Sequence, residues 1–257
     1  AIENDVPNIA VGGVLGSNVA NVMLVLGAAA FLGAKSDSEI GVNRDALAVV
    51  MATLFMAIFV YSGEVPVLGG VVMLTCLIGY YYYTYSVAIA GDDAYDYEDS
   101  WLPNKMSVAA PSCVLGGVMI WYGAELLVTG STNIAETFGV SEAVIGLTMV
   151  ALGTSLPELA VTLVAGIRGQ GGVAVGNVLG SNVMNIMGII GIASIVGSGI
   201  PVDVEFQRDI IVVMATSGFV VWMLISDKEF TKNIGIMMIT TYLFYMAFLG
   251  GFLEGLF

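Results

Sequence analysis

Two nineteen-residue stretches, IAVGGVLGSNVANVMLVLG at 9–27 and VAVGNVLGSNVMNIMGIIG at 173–191, align without gaps at an offset of 164 and are identical at 12 positions. The match resumes downstream, where NRDALAVVMAT (43–53) resembles QRDIIVVMAT (207–216) with one residue skipped. One structural unit therefore occurs twice in the chain. Both copies lie in apolar runs, and eight such runs occur at about 9–33, 46–61, 66–90, 107–129, 144–167, 173–197, 210–226 and 233–253. Most approach or exceed the roughly 17–25 residues that cross a bilayer as a helix. With 58% hydrophobic and 11% charged residues, against about 45–50% and about 25% in soluble domains, the chain cannot build a water-facing surface. The expected fold is an all-α polytopic membrane protein with eight transmembrane helices.

Five helices separate the start of the first copy from the start of the second. An odd number reverses direction across the bilayer, so the repeats have inverted topology, an arrangement in which many transporters bind substrate near the midplane. The second repeat has five helices, beginning near Ser107, whereas the first shows three. Since 107 − 164 = −57, a segment of roughly 60 residues with two further helices is expected ahead of Ala1 in a longer protein. Residues 1–90 then form a partial first repeat, 91–106 an acidic linker and 107–257 the second repeat.

Six of the seven basic residues, Lys35, Arg44, Lys105, Arg168, Lys228 and Lys232, fall in or beside alternate connections, and only Arg208 is opposite. The positive-inside rule makes that side cytoplasmic. The linker GDDAYDYEDSWLPNK carries five acids between Asp92 and Asp99; without EF-hand spacing it reads as a solvated connection rather than a calcium sensor. A net charge of −14 disfavours nucleic acid as a partner. Cys76 and Cys113 lie in apolar runs without metal or redox spacing, and are expected to be small buried hydrophobes. The absence of histidine removes zinc-protease and Ser/His nucleophile chemistry, so no enzyme and no cofactor is expected.

The fifth run contains ALGTSLPELAVTLVAG at 151–166. An ionised carboxylate in hydrocarbon costs at least about 2.5 kcal/mol on insertion scales and marks ion or substrate pathways. Ala151, Thr154, Ser155 and Glu158 are spaced 0, 3, 4 and 7, which places them on one helical face. Pro157 cannot donate to the Gly153 carbonyl, so backbone oxygen is left free there. Within the apolar runs no lysine or arginine is available to pair with Glu158, whereas Glu125 has no hydroxyl or amide at ligand spacing and reads as structural or interfacial. Ser181 and Asn185, four apart, recur as Ser17 and Asn21 in the first copy. Such groups can also glue helices together, but their duplication beside a glutamate helix favours cation coordination. Oxygen ligands without Cys or His point to Ca2+ or Na+ rather than zinc or copper.

At ALGTSLPEL and GNVLGSNVMN the chain resembles the sodium/calcium exchanger family, within the wider calcium/cation antiporters. The resemblance covers essentially the whole chain, as helices three to ten of a ten-helix fold. It implies exchange of sodium for calcium by alternating access in the plasma membrane, with Ca2+, Na+ and the lipid bilayer as the chain's partners. It makes Glu158 the central carboxylate, with Thr154, Ser155 and the Ala151 carbonyl as ligands, and Ser181, Asn185, Ser17 and Asn21 completing the site. A second glutamate is implied in the segment ahead of Ala1. Some relatives carry Asp where Asn185 stands, which argues against potassium coupling here. The nearest alternative is a proton/calcium antiporter of the same fold; a non-transporting scaffold would not need the duplicated polar residues.

Overall fold

A computed structural model describes residues 7–33, 42–90, 105–137 and 151–249. The acidic connection 91–104, residues 144–150 of the fifth apolar run and Glu254 lie outside them. The described residues form eight helices. Helix α1 starts as Pro7–Ala20, widens into a π-helical stretch at Asn21–Leu26 and finishes as Gly27–Phe31. Helices α2 (Val42–Ser62) and α3 (Val67–Ala90) follow, then the long α4 (Met106–Thr137) and α5 (Ala151–Ile167). Helix α6 repeats the form of α1, with Gly171–Val183, a π-helical stretch Met184–Ile190 and Gly191–Val196. Helices α7 (Phe206–Ile225) and α8 (Lys232–Leu249) complete the chain. A two-residue antiparallel pairing joins β1 (Glu64–Val65) to β2 (Ile200–Pro201).

Among the described residues, seven helices are long and apolar enough to cross a membrane, and Ser155–Ile167 is a shorter apolar helix. Large apolar side chains such as Leu68, Ile78, Val114 and Trp121 are exposed on the outside, the inverse of a soluble surface and the expected form for helices solvated by lipid tails. Cys76 and Cys113 are also exposed. This corrects the expectation that they are buried: an apolar run fixes that a residue lies in a membrane helix, not whether it faces the bundle or the lipid.

The two duplicated helices form the centre. In α1 and α6, 78% and 61% of the apolar window is buried, against 39% or less in the other spans and none in α4. Their neighbours exchange under the repeat: α1 packs on α7 as α6 packs on α2, and the end of α1 packs on α8 as the end of α6 packs on α3. Close approach at the second pair of crossings needs glycine. A Cβ on Gly70 would lie 2.6 Å from the Gly191 carbonyl oxygen, and one on Gly235 would lie 2.6 Å from the Gly27 carbonyl oxygen. Gly27 and Gly191 are repeat mates, and each follows a π-helical stretch.

A second repeat-related pair ties the helices together nearer their ends. Tyr80 of α3 donates its hydroxyl to Asp45 Oδ1 of α2 at 2.9 Å, and Tyr245 of α8 donates to Asp209 Oδ1 of α7 at 3.2 Å. Arg44 Nε donates to the same Asp45 oxygen at 3.0 Å, and Arg208 stands 3.8 Å from Asp209. Hydrogen bonds to charged groups contribute about 1.5–3 kcal/mol. Tyr80→Phe and Tyr245→Phe are therefore each expected to lower stability by about 1.5 kcal/mol, with the double variant near the sum, because the bonds share no partner. Thermal melting of the detergent-solubilised protein checks this; a double variant no less stable than either single one would contradict it.

Candidate cation site

The α5–α6 hairpin sets the depth of the site. Helix α5 ends at a left-handed residue, Gly169 (φ +74°), a conformation that favours glycine, and α6 begins two residues later. Glu158 lies nine residues before the end of α5 (167 − 158) and Ser181 ten after the start of α6 (181 − 171). At about 1.5 Å per residue both stand roughly 14–15 Å from the turn. They meet: Ser181 Oγ donates to Glu158 Oε1 at 3.2 Å. Asn177, one helical turn before Ser181, locks the hairpin by donating to the Glu158 carbonyl at 3.3 Å and to Thr162 Oγ1 at 3.0 Å. Pro157 lies inside α5 next to Glu158.

Helix α1 then closes the cluster from the other repeat. Ser17 and Ser155 share a hydroxyl–hydroxyl bond of 3.2 Å, and Asn185 Nδ2 donates to Ser17 Oγ at 3.3 Å. Asn21 and Asn185 begin or nearly begin the two π-helical stretches, a helix form often found at functional sites. Direct hydrogen bonds thus join Ser181 to Glu158, and Ser17 to both Ser155 and Asn185, and the two groups share helices α5 and α6. Asn21 enters through Asn182, to whose Oδ1 it donates at 3.1 Å. Ala151 and Thr154 lie in the same helix as Glu158, but their side chains are outside those described.

Two oxygens in this cluster are buried and find no hydrogen-bond donor among the described residues: Glu158 Oε2 and Asn21 Oδ1. Leaving a buried polar atom unpaired costs about 1–3 kcal/mol, and more for a charged one. A carboxylate oxygen on one repeat and an amide oxygen on the other, both without donors among the described residues, are each suited to accept a positive charge. No group of three His, Cys, Asp or Glu side chains gathers among the described residues, so the donor set is one carboxylate with neutral hydroxyl and amide oxygens. That set fits hard cations such as Ca2+ and Na+ and disfavours soft transition metals. Glu125 is exposed on α4.

Two residues that sequence spacing passed over belong to the same network. Asn18 and Asn182 are repeat mates, 1% exposed each, and bond reciprocally: Asn18 Nδ2 donates to the Asn182 carbonyl at 3.4 Å and Asn182 Nδ2 to the Asn18 carbonyl at 3.3 Å. Asn185 Nδ2 also donates to Asn18 Oδ1 at 3.0 Å. They were legible in principle, since both are identical in the aligned copies. A four-residue spacing selects one helical face, which holds Ser17 and Asn21, and Asn18 is turned about 100° from Ser17 and lies off it.

Residues 1–86 and 109–251 match the family described as sodium/calcium exchanger protein. CaxA of Alkalimonas amylolytica, named as a candidate antiporter, is 33% identical over 217 residues, which cover 81% of this chain and 67% of CaxA. The sodium/calcium exchanger MaX1 of Methanosarcina acetivorans is 46% identical over 82 residues, covering 32% of this chain and 23% of MaX1. In structure the chain is similar to the sodium-calcium exchanger NCX_Mj soaked with Na+ and Sr2+, with a TM-score of 0.80, 28% identity and coverage of 96% of this chain and 79% of that one. The chain spans about two thirds of the length of CaxA.

Proposed function

The chain belongs to the sodium/calcium exchanger family, and on that premise we propose that it forms most of an antiporter exchanging Na+ for Ca2+ across the plasma membrane by alternating access. The reading takes residues 1–90 and 107–257 as parts of two inverted repeats joined by the acidic linker 91–106. The observation that carries it is a pair of buried oxygens without a donor among the described residues, Glu158 Oε2 and Asn21 Oδ1, drawn from opposite repeats. In this reading Glu158 supplies the charge, Ser155, Ser181, Ser17, Asn21 and Asn185 supply neutral oxygens, and Thr154 and the Ala151 carbonyl complete the set.

Exchange rather than leak follows from electrostatics. An empty site holds an unneutralised carboxylate, and moving that charge through the low-dielectric barrier is unfavourable. Together with the second glutamate that the family resemblance implies, its charge is cancelled by Ca2+ or by several Na+ ions, so the site crosses loaded in both directions. The apolar helices at the front of each repeat would move against the core to switch access; α4, which buries none of its apolar window against the rest of the chain, has the fewest contacts to break.

Choosing sodium over protons as the coupling ion rests on the ligand set. Asn185 contributes no titratable group, and Ser155 and Ser181 are donors suited to Na+. The full-length protein reconstituted in vesicles is expected to take up Ca2+ when Na+ is higher inside and to be indifferent to an imposed pH difference. Uptake driven by outward protons with no response to Na+ would overturn the sodium assignment and favour the proton-coupled alternative.

A further inference from the structure

The hydrogen bonds among the four asparagines at the repeat interface have a forced direction. Asn18 and Asn182 each face the other's backbone carbonyl. A carbonyl only accepts, so each of these side chains must turn its amide nitrogen to the opposite backbone and its Oδ1 away. Those two oxygens then require donors. They receive them from Asn21, which donates to Asn182 Oδ1 at 3.1 Å, and from Asn185, which donates to Asn18 Oδ1 at 3.0 Å. Asn21 and Asn185 thereby commit their nitrogens inside the protein and turn their oxygens the other way. For Asn21 that oxygen is buried and has no donor among the described residues.

The orientation matters because the two ends of an asparagine amide are nearly the same size and opposite in polarity. A half-turn of the side chain would present N–H groups to a cation in place of lone pairs. We infer that Asn18 and Asn182 are positioning residues: they lock the amides of Asn185 and Asn21 so that each offers oxygen, and not NH2, to the cation. This inference rests on the cation-site reading above. The lock runs crosswise between the repeats, since Asn21 of the first is held by Asn182 of the second, and Asn185 of the second by Asn18 of the first. Each half's amide is thereby held by a side chain of the other half, which is itself oriented by a backbone carbonyl of the half it holds. The arrangement is the amide counterpart of the outer partners that orient metal-ligating side chains, whose loss lowers metal affinity by about 10–100-fold.

The test measures binding of Ca2+ alone and of Na+ alone to the purified full-length protein by calorimetry. Asn182→Ala is expected to weaken both by about tenfold or more. In an Asn21→Ala background it should have almost no further effect, while in an Asn185→Ala background its effect should remain nearly whole. Asn18→Ala should show the mirror pattern, coupled to Asn185 and not to Asn21. A second readout is rescue: Asn21→Asp should restore affinity in the Asn182→Ala background, because a carboxylate presents oxygen at both ends and has no orientation to lock. It should give no such gain in the wild type, where it sets two acceptors face to face. Asn182→Leu, close in volume, replaces Asn182→Ala if the latter does not fold. Unchanged affinity, or losses that add regardless of which asparagines are paired, would overturn the lock. Retained Ca2+ binding in Glu158→Gln would instead overturn the site itself, so the two failures are distinguishable.

Discussion

Glu158→Gln in the full-length protein is expected to lower Ca2+ affinity by about a thousandfold while leaving the protein folded. At a coordination distance of about 2.4 Å and an effective dielectric constant of about 20, the attraction between a divalent ion and a carboxylate is on the order of 10 kcal/mol. Desolvation offsets most of it; a remainder of about 4 kcal/mol corresponds to a factor of roughly 10^3. The fold should survive because Gln keeps the Oε1 that accepts from Ser181. It also replaces a buried oxygen that finds no donor among the described residues with an uncharged group. The ion-free variant is therefore expected to melt at or above the wild-type temperature, and wild-type protein alone should gain stability when Ca2+ is added. Calorimetry and melting curves with and without Ca2+ check both parts. A variant that binds Ca2+ normally would remove Glu158 from the site.

The second large effect is on stability, at the glycine crossings. Gly235→Ala would set a Cβ 2.6 Å from both the Gly27 oxygen and the Phe31 nitrogen, and Gly70→Ala one 2.6 Å from the Gly191 oxygen. The obstructing atoms are backbone, which cannot rotate aside, so the helices must separate. Overpacking typically costs about 1–3 kcal/mol, occasionally more, and both substitutions are expected at the upper end of that range. Gly13→Ala, where a Cβ would meet nothing within 4 Å, should be neutral or slightly stabilising and serves as the control. Equal melting temperatures for Gly235→Ala and Gly13→Ala would show that the crossing is looser than described.

Much of this was legible in the sequence because the physics of a bilayer leaves few choices. Apolar length fixes a spanning helix, and the 164-residue offset fixes which helices are related. The clustering of Glu158, Ser155, Ser181, Asn185 and Ser17 followed from one helical face and one duplicated motif. Less legible was anything set by a helix's rotation about its own axis. Cys76 and Cys113 turn outward for that reason, and Asn18 and Asn182 were passed over for it. The π-helical stretches at Asn21–Leu26 and Met184–Ile190 leave no mark in hydrophobic periodicity. Tyr80 and Tyr245 lay hidden because one lies in a tyrosine run and their offset is 165, not 164. Their carboxylate partners, Asp45 and Asp209, stood in the aligned RD pair, but nothing in that pairing names a hydroxyl two helices' length away along the chain.

The most direct measurement is an anomalous difference map of the full-length protein crystallised with Ca2+. A single strong peak about 2.3–2.6 Å from Glu158 Oε2, with the oxygens of Asn21, Ser17 and Ser181 around it, is the predicted result. A peak elsewhere, with Glu158 Oε2 and Asn21 Oδ1 still lacking any partner at saturating Ca2+, would contradict the claim that the two repeats build one cation site between them.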